Sequence, residues 1–306
     1  MKIAITGGTG LIGSELTKSL IREGHQLTSL VREAKLSPDD PTIFVRWDIE
    51  RGEIESPSKL EAHDAVIHLA GESVAEGRWT EEKKRRIHDS RVKGTRLLVE
   101  TLVRLKQPPK ILLSASAIGF YGADRSDEIL TEESSPGADF LAGVSREWEA
   151  GALRAKDFGA RVVLLRTGIV LSPDGGALRK MLPLFKMGIG GKLGSGRQFM
   201  SWIALKDEIA AIRFALVNET VGDAINLTAP HPVTNAEFTE TIGRVLSRPT
   251  FLRVPPFALR LALGEMAATA LGSLRVLPKR LEAAGYQFEF TELENALRQM
   301  NIKRAD

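Results

Sequence analysis

Short apolar runs alternate with amphipathic stretches through the first half of the chain. Lys2–Thr6, KIAIT, is a compact apolar run of the kind that forms a buried strand. From Leu11 to Glu23, the residues Ile12, Leu16 and Leu20 recur at four-residue steps and predict a helix with one apolar stripe, which Gly24 ends. Further strands are predicted at Leu27–Val31, Ile43–Trp47, Ala65–Leu69, Lys110–Ala115 and Arg161–Leu165. Between them, Thr80 caps a helix that carries Glu81 and Glu82 in its first turn and runs to about Leu105. Another helix is predicted over Phe140–Lys156. Strands alternating with helices predict a parallel sheet covered on both faces, an α/β doubly wound domain over residues 1–171.

After Leu171 the rhythm changes. SPDGGALRKM and GIGGKLGSGR are rich in glycine and read as loops over a site. Ala204–Val217 reads as a helix, Ala224–Thr228 as a strand, and NAEFTETIGRVL as a helix with Asn235 as its cap. The tail from Pro255 is mainly helical. Residues 172–306 are therefore expected to form a smaller substrate-side region packed on the first, its last helical part starting near 250.

The composition, 43 % hydrophobic and 26 % charged over 306 residues, is that of an ordinary globular protein. Having no cysteine, the chain can form no disulfide, thiolate metal site or cysteine nucleophile. No His/Asp/Glu set has metal-site spacing. A net charge of +3 without a basic and aromatic cluster argues against a nucleic-acid partner. The most apolar long segment, Pro255 to Leu274, carries Arg260 and Glu265 in its middle, so no membrane span and no membrane partner are expected. With no export signal ahead of the first strand, a cytoplasmic location is expected.

The chemistry begins at GGTGLIG. Gly7 suits a tight strand-to-helix turn, Gly10 lets backbone approach a pyrophosphate, and Gly13 lets the helix lie close on the sheet. The helix start at Leu11 and Ile12 offers free N–H groups to phosphates, and Thr9 adds a hydroxyl. At the end of the second strand stands Arg32, where an NAD site usually has an acid. A guanidinium there suits the 2′-phosphate of NADP, so NADP is expected over NAD. Glu33 follows it.

GGTGLIG, WD after the third strand, HLAGE after the fourth and SASAIGFYG after the fifth form an ordered set. It resembles the extended short-chain dehydrogenase/reductase superfamily. GGKLGSGRQFMSWIALKDEIAAI, NAEFTETIG and VLPKRLEAAGYQF resemble more closely an atypical, epimerase-like subgroup with a short helical C-terminal domain, sometimes named cell-division-inhibitor-like. The resemblance spans essentially the whole chain. It implies a Rossmann fold with NADP in the crevice at the strand ends. Asp48 would face the adenine, Leu69, Ala70 and Gly71 would run beside the ribose and phosphates, and Val170 would lie near the nicotinamide.

Most members of that superfamily use a tyrosine and a lysine four residues later as the acid–base pair. Here the corresponding helix reads FLAGVSREWEA, which supplies neither. Arg91 stands where an asparagine often sits, open to the cofactor, an anionic substrate or a plain surface role. Ser116, Tyr121 and Glu72 are the remaining candidates for proton transfer, with Glu132 and Glu133 behind them; Tyr121 also reads as a packed residue with a satisfied hydroxyl, and Glu72 as a solvated loop carboxylate. His68, inside an apolar strand, reads as a core residue. Lys192 and Arg197, among five glycines, suit either a phosphate or carboxylate on a small polar substrate or a solvated basic loop. Two functions stay open: an NADP-dependent oxidoreductase or epimerase with an unorthodox proton donor, or an NADP-binding sensor without turnover.

Overall fold

A computed structural model describes residues 1–32 and 42–303. Six strands come first along the chain: β1 (Lys2–Thr6), β2 (Gln26–Val31), β3 (Ile43–Asp48), β4 (Glu53–Ile54), β5 (Ala65–His68) and β6 (Ile111–Ala117). With Arg161–Thr167 and Asp223–Leu227 they make one eight-stranded sheet. Its order runs Asp223–Leu227, Arg161–Thr167, β6, β5, β1, β2, β3, β4, and every pair is parallel except β3 with β4. From β1 the chain winds outward through β2 and β3, then returns to β5 on the other side. The strand order therefore reverses between β1 and β5, where such sheets open a crevice at their carboxyl ends.

The helices are α1 (Leu11–Arg22), α2 (Glu81–Leu102), α3 (Phe140–Leu153), α4 (Gly176–Lys186), α5 (Leu205–Val217) and α6 (Asn235–Leu246). Alternation along β1 sends Ile3 and Ile5 into one core with Leu16, Leu20 and Ile212, and Ala4 into another with Leu98, Leu102 and Ala152. α1 and α5 thus cover one face of the sheet, and α2 and α3 the other. The doubly wound α/β architecture is as its apolar pattern predicts. Residues beyond 171 supply the outermost strand, so the sheet itself draws on both halves of the chain. A third core joins Leu178, Trp202, Phe238 and Ile242 to Phe290, Leu293 and Leu297 of the C-terminal part.

Three local expectations are corrected. SPDGGALRKM is not all loop: α4 starts at Gly176 and buries Leu178, Leu182 and Phe185 on one stripe. Within GIGGKLGSGR, Gly191–Leu193 is a short strand paired in parallel with Leu252–Val254. The cap of α6 is Thr234, whose side chain accepts the N–H of Glu237 while Glu237 returns the bond. Asn235 instead accepts the backbone N–H of Leu193, 2.8 Å away, and so fastens that short strand to α6.

Candidate functional site

The turn from β1 into α1 is built from close backbone contacts. Gly7 has φ +70°, and a Cβ on it would stand 2.7 Å from the carbonyl carbon of Leu69. Its carbonyl accepts the N–H of Gly10 at 3.0 Å. Gly10 is the N-cap of α1, in extended conformation, with no side-chain cap and no acid in the first turn. The N–H groups of that turn therefore keep their hydrogen-bonding capacity, and the positive end of the helix dipole is not neutralised.

They open on a cleft of about 430 Å³. One wall is Gly7, Gly10, Leu11, Ile12 and Gly13, and another is Leu69, Gly71 and Ser73 after β5. Ala115 and Ser116 of β6 form the floor, and Thr167, Ile169, Val170, Gly176 and Ala177 the far side. A neighbouring hollow outside the helix start is lined by Thr9, Gly10, Leu11 and Ser14, with Asp174 and Gly175 across it. So the turn residues, Leu69, Gly71, Val170 and Ser116 share one crevice at the β1/β5 reversal. Ala70, between Leu69 and Gly71, is not itself a lining residue: it packs on the core of Ala4 and Leu98, its N–H bound to Thr6 Oγ1 at 3.2 Å.

Arg32 is exposed at the end of β2, near enough to Glu72 for its charge to stabilise that carboxylate. Glu33 lies outside the described residues. Asp48 ends β3, and its Oδ1 accepts the N–H groups of Glu50 and Arg51 at 3.1 and 3.0 Å, so that oxygen shapes the following turn. Arg91 is largely withdrawn from water. It donates to the carbonyls of Glu72 and Ile87, and its guanidinium lies 5.1 Å from the centre of the Trp148 ring. Burial lowers its pKa to about 10. A Cβ on Gly71 would meet that guanidinium at 3.3 Å, so Arg91 backs the cleft wall at Gly71 from behind.

The three proton-transfer candidates separate. Ser116 is on the cleft floor, and its hydroxyl donates to Glu149 Oε1 at 2.6 Å. Glu149 is in turn gripped by Arg166, Nε to Oε1 and Nη2 to Oε2, both at 2.8 Å. Tyr121 is 0 % exposed, and its hydroxyl donates to Asn226 Oδ1 at 2.7 Å and accepts from Arg166 Nη1 at 3.1 Å. Burial pushes its pKa up. Both hydrogen-bonding roles of this phenol are filled inside the protein, as in the packed reading of Tyr121, and it does not line the cleft. Glu72 lies between two cleft residues but turns its carboxylate to Lys83 Nζ, 2.6 Å away, and this bond holds its pKa down. A carboxylate so held is a poor proton carrier near neutrality.

His68 is the core residue its strand position predicts. It is 0 % exposed, bridges Thr6 Oγ1 and Thr95 Oγ1, and burial lowers its pKa to about 4. Lys192 and Arg197 do not line the cleft. Lys192 Nζ pairs with Glu240 at 2.7 Å, and Arg197 is exposed on the turn beyond. Glu132 receives the N–H groups of Asn226 and Arg280, and Glu133 pairs with Arg280, so both fasten the C-terminal part. Glu149 and Arg166 escaped sequence reading, although one signal was present. An arginine inside the apolar strand RVVLLRT requires a buried acid opposite it.

Residues 3–228 match the model of the NAD dependent epimerase/dehydratase family. The chain belongs to that family. Residues 254–300 match a domain of unknown function, DUF1731, the short helical C-terminal domain that the late motifs announce. The relatives include an epimerase family protein of Mycobacterium bovis, 43 % identical over 96 % of both chains. Epimerase family protein YfhF of Bacillus subtilis is 38 % identical over 99 % of both. Among solved structures, human epimerase family protein SDR39U1 (isoform 2) with NADPH superposes with a TM-score of 0.89 at 33 % identity, covering 98 % of this chain and 99 % of its own. The match to an atypical, epimerase-like short-chain dehydrogenase/reductase thus holds over the full length.

Proposed function

We propose that the protein is an NADP-dependent oxidoreductase or epimerase-like enzyme acting on a small polar substrate without the usual tyrosine–lysine pair. The observation that carries this reading is the uncapped, acid-free start of α1 at Gly10, opening on the crevice at the β1/β5 reversal. The solved human relative bound to NADPH supports the choice of nucleotide. In this reading Gly7, Thr9, Gly10, Leu11, Ile12 and Gly13 hold the pyrophosphate, and Arg32 takes the 2′-phosphate. Asp48 borders the adenine, with Leu69, Ala70 and Gly71 along the ribose and Val170 beside the nicotinamide. Arg91 keeps the Gly71 backbone in place. The nicotinamide, when bound, supplies hydride chemistry.

Ser116 is the cleft residue we assign to bind the substrate hydroxyl. Because Glu149 is fixed as the acceptor of its hydroxyl, Ser116 presents oxygen lone pairs to the cleft. A substrate hydroxyl can donate to them. That bond orients the substrate hydroxyl in the cleft, and Glu149, itself doubly held by Arg166, fixes the serine in place.

The test is a fluorescence titration with NADPH and NADH, followed by mixing the NADPH complex with sugar nucleotides, aldehydes and quinones. Loss of reduced-nicotinamide absorbance with one of them, abolished by Ser116→Ala, supports the enzyme. Tight NADPH binding with no turnover across the panel would overturn it in favour of a nucleotide-occupancy sensor.

A further inference from the structure

Two stretches of the chain carry positive charge with no acid among them. Residues 175–206 contain six Lys and Arg and no Asp or Glu, and residues 241–264 contain four Arg and no acid. The fold brings them together. Gly191–Leu193 pairs with Leu252–Val254, and a Cβ on Gly188 would lie 3.5 Å from Pro249.

Of the twelve large apolar side chains that stand exposed among the described residues, seven lie in these two stretches. Phe251 is 81 % exposed, Phe257 71 % and Leu261 75 %, with Met187 and Ile189 alongside at 64 % and 50 %. Single exposed apolar residues are ordinary, but a concentration of them marks a contact surface. The helix α7 (Pro256–Leu263), PFALRLAL, buries none of its residues although most are apolar. Phe257, Arg260 and Leu261 fall on one side of it, by the three- and four-residue spacing of a helix. Arg248, Arg253 and Arg260 are exposed and have no carboxylate partner among the described residues.

We propose that this face docks on an anionic lipid surface. Protruding aromatic and aliphatic side chains on a short helix can enter the headgroup layer, and unpaired guanidinium groups beside them can take lipid phosphates. A second copy of the chain fits poorly, because a two-fold contact would set the arginines of one copy against those of the other. Among the described residues no helix is long and apolar enough to cross a membrane, and surface docking requires none. It departs from the expectation of no membrane partner, which rested on spanning segments alone.

The experiment is cosedimentation of the full-length protein, with and without NADPH, with phosphatidylcholine vesicles and with vesicles that also contain phosphatidylglycerol. Binding to the second kind is expected to exceed binding to the first by tenfold or more, roughly the effect of two arginines near a charged surface, and to weaken with added salt. Phe257→Ser with Leu261→Ser should abolish sedimentation while leaving NADPH affinity unchanged. Arg253→Glu with Arg260→Glu should remove the preference for anionic lipid. No sedimentation with either vesicle would overturn the proposal, as would equal binding to both. So would loss of a dimer in the Phe257→Ser, Leu261→Ser variant by sedimentation velocity, which would identify the occupant as a second copy.

Discussion

A Cβ on Gly13 would stand 2.1 Å from the carbonyl oxygen of Gly7, whereas one on Gly10 would meet that same oxygen at 3.4 Å. Two glycines three residues apart therefore answer to different demands. Gly13 is required by the protein's own packing, and Gly10, which has room for a Cβ, by the pyrophosphate proposed to lie beside it. Gly13→Ala should lower stability by about 1–3 kcal/mol through overpacking, read by denaturant unfolding. Gly10→Val should unfold near the wild-type midpoint yet lose NADPH binding by calorimetry. Unchanged NADPH affinity in Gly10→Val would contradict the phosphate cradle.

Arg32 stands exposed at the strand end where the 2′-phosphate is proposed to lie. Arg32→Ala should weaken NADPH by roughly ten- to a hundredfold, the range for one charge-assisted hydrogen-bonded contact, and leave NADH nearly unaffected. Equal weakening of both nucleotides would remove the 2′-phosphate assignment.

Glu149 and Arg166 form a doubly hydrogen-bonded pair in which each side chain is 6 % exposed. The guanidinium also lies 3.5 Å from the centre of the Phe120 ring. Glu149→Leu or Arg166→Met alone should cost about 3–5 kcal/mol, because each strands an opposite charge in the interior. The double variant should recover much of that loss. Strict additivity of the two losses would show that the charges do not act as a pair.

Glu208, on α5, is 1 % exposed, and burial raises its pKa from 4.5 to about 8. One oxygen accepts the hydroxyl of the cleft residue Thr167 at 2.9 Å, and the other has no partner. The folded state keeps this proton up to about pH 8, whereas the unfolded chain gives it up near pH 4.5. The contribution is full below pH 4.5 and is lost as pH rises towards 8, by about 1.4 kcal/mol per pH unit at most. Glu208→Gln should hold its stability over that window while the wild type declines. Parallel pH profiles of unfolding free energy would exclude this carboxyl as the source.

Much of this was legible in the residues themselves. Ile12, Leu16 and Leu20 placed α1, and Gly7, Gly10 and Gly13 placed the crevice, because helix period and glycine conformation are local properties. Asn235 and Thr234 were harder to tell apart, since either can cap a helix and only the reciprocal bond to Glu237 decides. Whether Tyr121, Glu72 and Lys192 stand free or are held was not legible, for one common reason. Their partners, Asn226, Lys83 and Glu240, lie 105, 11 and 48 residues away in the chain, and sequence spacing carries no record of such pairings. Ser116 was found by motif, but the acid behind it came only with the packing of α3 on the sheet.

The last fifty residues put Leu281 and Tyr286 into the core beneath the sheet and Phe290, Leu293 and Leu297 into the third core. Asp207 at the start of α5 receives the N–H groups of Glu289 and Phe290, both at 2.9 Å. A chain emerging from the ribosome therefore has two apolar surfaces still open, one against its first half and one within its second. They close only when the C-terminal segment arrives, so a late stop codon acts on the stability of the first residues made as well as the last.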